Sequence, residues 1–276
     1  MTDRKDTREL ATGYTTANST QFNAALFLLD RLKVSPGDKV LDVGCGPGNL
    51  SLHLKNLVGP SGSVTGFDPS QQRIALAEKS LQTTSSSNGQ NTKIEGVTFY
   101  VGIAEDLSRH ADVTFDIVFV NSTLHWVADQ ALAIREFGRV LKKGGKLGIS
   151  GGSGDFVAIH EKIKEDVLSR EPYDKYPESG GPKFLKKSEL EKLLDAAGFV
   201  QKDIVTNTIV KHANSPDEMI EWLDTSSSGQ TYGGIPLEMR PRAREEMKKE
   251  WEGYVKEGDG GIDMEMELLV TVAVKG

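Results

Sequence analysis

The sequence predicts an α/β protein built around a doubly wound, mostly parallel sheet, and three observations predict it. Strand-like apolar runs alternate five times with helix-periodic stretches between residues 39 and 150, as parallel βαβ crossovers require. Phe115–Asn121 is apolar at nearly every position, the pattern of a strand covered on both faces. The run Val40-Leu41-Asp42-Val43 breaks into Gly44-Cys45-Gly46-Pro47-Gly48 and resumes as Asn49-Leu50-Ser51-Leu52. Strand, tight turn and helix in that order bring several backbone N–H groups and a helix N-terminus to one point.

Composition narrows the partners. The 276 residues suffice for one large domain with a sizeable insertion. A net charge of −7, from 33 basic against 40 acidic residues, argues against a surface that wraps nucleic acid. Cys45 is the single cysteine, so no disulfide framework exists, which fits a reducing compartment. Met1-Thr2-Asp3-Arg4-Lys5-Asp6 lacks the apolar region of a signal peptide, and no run approaches the roughly 18 apolar residues of a membrane span. A cytoplasmic protein is expected, with no nucleic-acid or membrane partner and no metal.

Residues 1–21 are polar, and Tyr14, Asn18 and Gln21 are spaced so that a helix would bring them to one face. Spacing alone leaves them as a solvated helix start or a functional arm. Phe22, Leu26, Leu29 and Leu32 continue in helical period and stop before Val34-Ser35-Pro36-Gly37-Asp38. Lys39–Val43 is the first strand and 49–57 its helix; 63–67 is the second strand, closing on Asp68-Pro69-Ser70, and 71–81 the next helix. Residues 82–92 are polar and of low complexity, predicting a mobile surface loop. Val97–Val101 and Phe115–Asn121 are the third and fourth strands. A helix over 131–141 ends in Lys142-Lys143-Gly144-Gly145, and 146–150 is the fifth strand. A helix over 188–197 and a strand over 199–206 follow. About sixty residues, with helical segments near 217–223 and 237–256, then separate that strand from the last apolar run at 266–274. A helical insert between two strands predicts a cap on the carboxyl edge of the sheet, where ligands are expected to bind.

A dinucleotide turn carries glycines at its first, third and sixth positions. Here they stand at 44, 46 and 48, Asn49 occupies the sixth position, and Pro47 lacks a donor that a diphosphate would use. Asp68 lies twenty residues past Gly48, where a carboxylate can accept both ribose hydroxyls. Four ordered stretches then take the reading further: 40–48; Gly66-Phe67-Asp68-Pro69-Ser70; Ala104-Glu105-Asp106-Leu107; and Phe115–Asn121 with Leu141-Lys142-Lys143-Gly144-Gly145-Lys146-Leu147. Over roughly residues 34–150 the chain resembles the class I S-adenosylmethionine-dependent methyltransferases.

The resemblance implies a Rossmann-like sheet of seven strands, the last antiparallel, for which 266–274 is the candidate. It divides the chain into an arm over 1–33, a cofactor-binding domain over 34–212 with 262–276, and a cap over 213–261. It implies S-adenosyl-L-methionine as cofactor, with Gly44, Cys45 and Gly46 near its methionine part. Asp68 would then hold the ribose, Pro69 and Ser70 flank the adenine, Ala104 and Glu105 meet its far edge, and Asn121 face the amino group. Asp42 would act through water or loop hydrogen bonds. Cys45 reads as a small residue in a tight turn, with a reactive thiol as the alternative.

Leu124-His125-Trp126-Val127-Ala128-Asp129 resembles a narrower group, the small-acid carboxyl methyltransferases of the juvenile hormone acid and trans-aconitate type. That group implies a Tyr14/Asn18/Gln21 arm closing over the cofactor, with Gln21 and Trp126 at the acceptor carboxylate. Such an acceptor, with an ordinary pKa of about 4, is ionised at neutral pH and needs no protein base. A phenol would want one, and His125 is the only histidine expected near the site, as a base or as a packed ring. No cationic pocket is foreseen, because Arg240, Arg242 and Arg244 read as a solvated face. Met219, Ile220, Trp222, Leu223, Tyr232 and Ile235 read as core or as an apolar pocket. The expected activity is methyl transfer to a small molecule, on a carboxylate or other oxygen. The alternatives are N-methylation and S-adenosylmethionine binding without methyl transfer.

Overall fold

A computed structural model describes residues 19–84, 91–177, 181–227, 230–258 and 260–276. Helix α1 (Ser19–Leu32) precedes β1 (Lys39–Val43), α2 (Asn49–Val58), β2 (Ser63–Asp68) and α3 (Gln71–Ser80). A short antiparallel ribbon, β3 (Gln82–Thr84) with β4 (Asn91–Lys93), occupies part of the stretch predicted as loop; residues 85–90 lie outside the described residues. Then follow β5 (Val97–Val101), β6 (Phe115–Asn121), α4 (Gln130–Val140), β7 (Leu141–Gly152), α5 (Ile159–Leu168) and α6 (Lys187–Ala196). The long β8 (Phe199–Ala213), α7 (Pro216–Ser226), α8 (Arg240–Glu252) and β9 (Ile262–Lys275) complete the chain.

The main sheet has seven strands in the order β5-β2-β1-β6-β7-β9-β8. It is mixed: the pairings from β5 to β7 are parallel, whereas β9 runs antiparallel to both β7 and β8. Chain direction across the sheet reverses between β1 and β6, and the crevice at their carboxyl ends is where such sheets bind ligands.

The two-residue period of the strands builds the core on both faces. Val40, Val64, Ile117 and Phe119 face α1 and α2 with Leu28, Leu32 and Leu54, whereas Leu41, Val43, Val118 and Val120 face α4 and α6 with Phe137, Leu190 and Leu194. Helix α1 lies so close to β7 that a Cβ on Gly148 would stand 3.0 Å from Leu32. Lys146 Nζ donates to the Leu32 carbonyl at 2.8 Å, satisfying the C-terminal end of α1, and Arg31 pairs with Asp203 on β8.

A third apolar cluster lies beyond the sheet. Strands β8 and β9 stay paired as far as Ala213 opposite Ile262, and the insert between them folds over the carboxyl edge. Ser215 caps α7 by accepting the Glu218 amide at 3.2 Å, with Pro216 in the first turn, where no intrahelical donor is needed. Met219, Ile220, Met247 and Trp251 are buried together with Ile163, Val167 and Tyr173, which come from α5 and the turn after it. Tyr173 donates to Glu246 at 3.0 Å and Arg170 pairs with Glu250 at 2.6 Å, tying that segment to α8. Among the described residues no helix is long and apolar enough to cross a membrane.

Candidate functional site

The glycine turn after β1 owes its shape to positions where only glycine fits. Gly44, Gly46 and Gly48 have φ of 69°, 55° and 89°, in the left-handed region. A Cβ on Gly44 would stand 2.3 Å from Thr123 Oγ1, and one on Gly48 would stand 2.9 Å from the Phe99 ring. The turn is thus pressed between the exit of β6 and the face of β5, and the amide of Leu52 donates back to the Gly48 carbonyl at 3.0 Å as α2 begins.

Asp68 organises the neighbouring strand end. Its carboxylate accepts the Gly46 amide at 3.1 Å and the Ser70 amide at 2.9 Å, locking the first turn to the second. Ser70 in turn caps α3 by accepting the Arg73 amide at 3.2 Å. Asp42 falls on the same face of β1 as Val40, so its carboxyl lies under the first turn of α2, where Ser51 Oγ donates to it at 2.5 Å. Burial raises the Asp42 pKa to about 7; the Ser51 bond opposes the rise and the Asp68 charge adds to it. The Cys45 thiol is buried, and burial first, then the charges of Asp42 and Asp68, push its pKa up, so it is not a thiolate near neutrality.

Beyond β6 the chain turns through Ser122, a non-glycine residue at φ 51° whose amide donates to the Ser150 carbonyl at 2.7 Å. Asn121, just before it, is buried. Thr123 Oγ1 donates to the Asn121 carbonyl at 2.9 Å. The 3-10 turn Leu124–Trp126 follows. The His125 ring centroid is 5.2 Å from that of Trp126 and 5.0 Å from that of Phe184, and a Cβ on Gly151 would approach it to 3.2 Å. Glu105 accepts the amides of Ala128 and Asp129 at 2.9 and 3.2 Å, so its carboxylate fastens the loop after β5 to the start of α4. Ala104 beside it is buried.

A cavity of about 870 Å³ opens over this edge. At one end Gly44, Asp68, Pro69, Ser122 and Thr123 line it; at the other, Ile220, Trp222, Leu223, Met247 and Trp251 from the cap. His125, Trp126 and Ala24 of α1 also line it. Asp42, Cys45, Gly46, Ala104, Glu105 and Asn121 are not among the lining residues. Tyr14 and Asn18 lie outside the described residues, and of Gln21 only the backbone, in the first turn of α1, is described.

Two expectations are corrected. His125 is not the only histidine near the site: His160, in the first turn of α5, also lines the cavity. Arg244 is not purely a solvated residue, since it is partly buried and pairs with Asp217 at 3.4 Å, while Arg242 pairs with Glu246 at 2.9 Å. The sequence reading missed Phe156, His160, Lys164 and Phe184, all cavity residues from the stretch between β7 and α6. The spacing Ile159, Ile163, Val167 was the signal there, a helical stripe that the polar residues around it obscure.

Comparison with known proteins gives a consistent family. A family described as a methyltransferase domain matches residues 34–219. A demethylmenaquinone methyltransferase from Lactobacillus johnsonii is 40% identical over 119 residues, covering 43% of this chain and 46% of that protein. The chain therefore spans less than half the length of that relative. Another protein of that name, from Alkalihalophilus pseudofirmus, is 28% identical over 188 residues, covering 64% of this chain and 76% of its own. Among solved structures, the YcgJ protein of Bacillus subtilis superposes with a TM-score of 0.63 at 15% identity, covering 92% of this chain and 98% of its own, a likeness of fold.

Proposed function

The chain belongs to the methyltransferase-domain family, an enzyme class that works with S-adenosylmethionine, and from that premise we propose that the protein methylates a small, mainly apolar molecule. The observation that carries this reading is the single cavity running from Gly44 and Asp68 to the apolar cap wall at Ile220 and Trp251. Donor and acceptor share one cavity.

The residues present fit the cofactor. A Cβ at Gly44 would collide with Thr123, so glycine lets the turn close against the exit of β6, and Gly44 itself lines the cavity. Asp68 lines the cavity at the carboxyl end of β2, where a carboxylate suits ribose hydroxyls. Pro69 and Ser70 flank the adenine beside Ala104, and Asn121 serves the methionyl end. Glu105 acts indirectly, by fixing the loop that carries Trp126. The bound cofactor supplies an electrophilic methyl on a sulfonium. The chain's own part is to orient the acceptor's nucleophilic atom and exclude water, effects worth roughly 7–11 kcal/mol when both partners are well placed. Trp126 and His125 orient the acceptor, and Ala24 of α1 lies on the wall of the same cavity. The cap, residues 213–261 joined by α5, forms the acceptor's wall.

Relatives named for demethylmenaquinone support an apolar acceptor over a di- or tricarboxylate. Transfer to a monocarboxylate is the second reading, favoured because His125 and Trp126 line the same cavity. Incubation with methyl-labelled cofactor and a panel of phenols, quinols, apolar monoacids and amines tests both. Label on an apolar phenol or quinol supports the first reading, and label on a monoacid supports the second. Cofactor binding with label on amines alone, or on no panel member, overturns both.

A further inference from the structure

The stretch between β7 and α6 contributes polar groups to the cavity that the cofactor motifs leave unused. His160 stands in the first turn of α5 and Lys164 one turn later on the same face, and both line the cavity. Apolar residues Phe184, Ile220 and Trp251 line the same cavity. The Nδ1 atom of His160 is buried and has no hydrogen-bond partner among the described residues. With Nδ1 shut away, Nε2 is the nitrogen left for contact with a ligand. Carrying the proton on Nε2 also spares the interior an unbonded N–H. Burial, reinforced by the Lys164 charge, lowers the pKa of the ring to about 4, so at neutral pH it is an uncharged imidazole with a single N–H.

We propose that His160, through Nε2, donates a hydrogen bond to a carbonyl or ionised oxygen of the otherwise apolar methyl acceptor, and so selects acceptors that carry such an oxygen. The proposal rests on the reading of this cavity as the acceptor site. An uncharged donor orients an oxygen without fixing it in a salt bridge. The Lys164 ammonium on the same face tilts the preference toward an oxygen bearing negative charge. A pure hydrocarbon of the same shape would leave the imidazole N–H without a partner, and sites built around a polar partner reject such analogues more strongly than apolar pockets reject an extra methylene.

The test compares 1-tetralone with tetralin, one skeleton with and without a carbonyl oxygen. All three tryptophans of the chain, Trp126, Trp222 and Trp251, line the cavity, so intrinsic fluorescence reports its occupancy directly. In the full-length protein tetralone should bind more tightly than tetralin. His160→Phe should weaken tetralone by about five- to tenfold, the value of one hydrogen bond, while leaving tetralin within about twofold. His160→Gln, whose amide reaches the Nε2 position, should recover most of the tetralone affinity. Calorimetry with S-adenosylmethionine checks each variant for a folded cofactor site. If His160→Phe loses cofactor binding, His160→Asn, whose amide falls short of Nε2, takes its place and should lose the preference that His160→Gln keeps. Equal losses for both ligands, no loss for tetralone, or no tetralone preference in the unaltered protein would each overturn the proposal. Absence of cofactor binding in the unaltered protein would instead strike the functional reading on which it rests.

Discussion

At Asp42 the folded chain keeps a proton that the unfolded chain releases. Its pKa stands at about 7 against an ordinary 3.8, so its contribution to stability is complete below about pH 4 and is lost as pH rises through 7. Asp42→Asn cannot ionise and can still accept from Ser51. It should therefore unfold with a flatter pH dependence and, at pH 8, be more stable than the unaltered protein by on the order of a few kcal/mol, read from urea melts across pH 5–8. Gly44→Ala should do the opposite. A methyl at φ 69° meets Thr123 at 2.3 Å, and the turn must open to relieve it. A stability loss of about 1–3 kcal/mol and a cofactor affinity lowered by more than about tenfold are expected, by melting and calorimetry. These residue-level features were only half legible in the sequence. The glycines announced the tight turn through their spacing, and Asp68 through its distance from them. The protonation of Asp42 was invisible, because it depends on burial beneath α2 and then on Asp68 arriving from the next strand, with the Ser51 bond opposing both.

Among elements, the loop between β6 and α4 carries His125 and Trp126, and Glu105 from the loop after β5 holds it by two amides. Glu105→Gln keeps an acceptor but weakens both bonds by removing the charge. It should lower turnover while cofactor affinity stays within about threefold, a split measured by kcat against the calorimetric Kd. The motif identified Glu105 as a residue of interest, and the structure adds two backbone amides as its partners. Sequence spacing locates a strand end but not which neighbouring backbone its side chain meets. The polar stretch 82–92 fails for a related reason. Its composition reads as loop, yet Gln82–Thr84 and Asn91–Lys93 pair with each other because the ladder needs only backbone groups. Helix α5 escaped notice because its apolar stripe is narrow and its partners, Met247 and Trp251, lie some eighty residues later.

Taken whole, the molecule has two halves of unequal legibility. The sheet could be read strand by strand, since parallel strands buried on both faces leave continuous apolar runs. In the cap the helices near 217–223 and 237–256 could be read, but their core could not, since it is shared between residues 159–175 and 213–264 and only the folded chain brings them together. Trp251 is the largest fully buried side chain there, so Trp251→Ala should cost about 3–5 kcal/mol, and hydrogen exchange should quicken in α5, α7 and α8 while β1 and β6 remain protected. The paired ends of β8 and β9 have a further consequence. The insert departs at Ala213 and returns at Ile262, residues that face each other across one ladder rung. Ends roughly 5 Å apart can be bridged by segments of very different length at little entropic cost, so the sheet is indifferent to what it carries there. In lineage terms this is a socket. The insert can change in length without touching β1, β2 and β6. A graft that replaces residues 214–261 should keep a working fold only when residues 159–175 travel with it, because Ile163, Val167 and Tyr173 otherwise lose the surface they were built against.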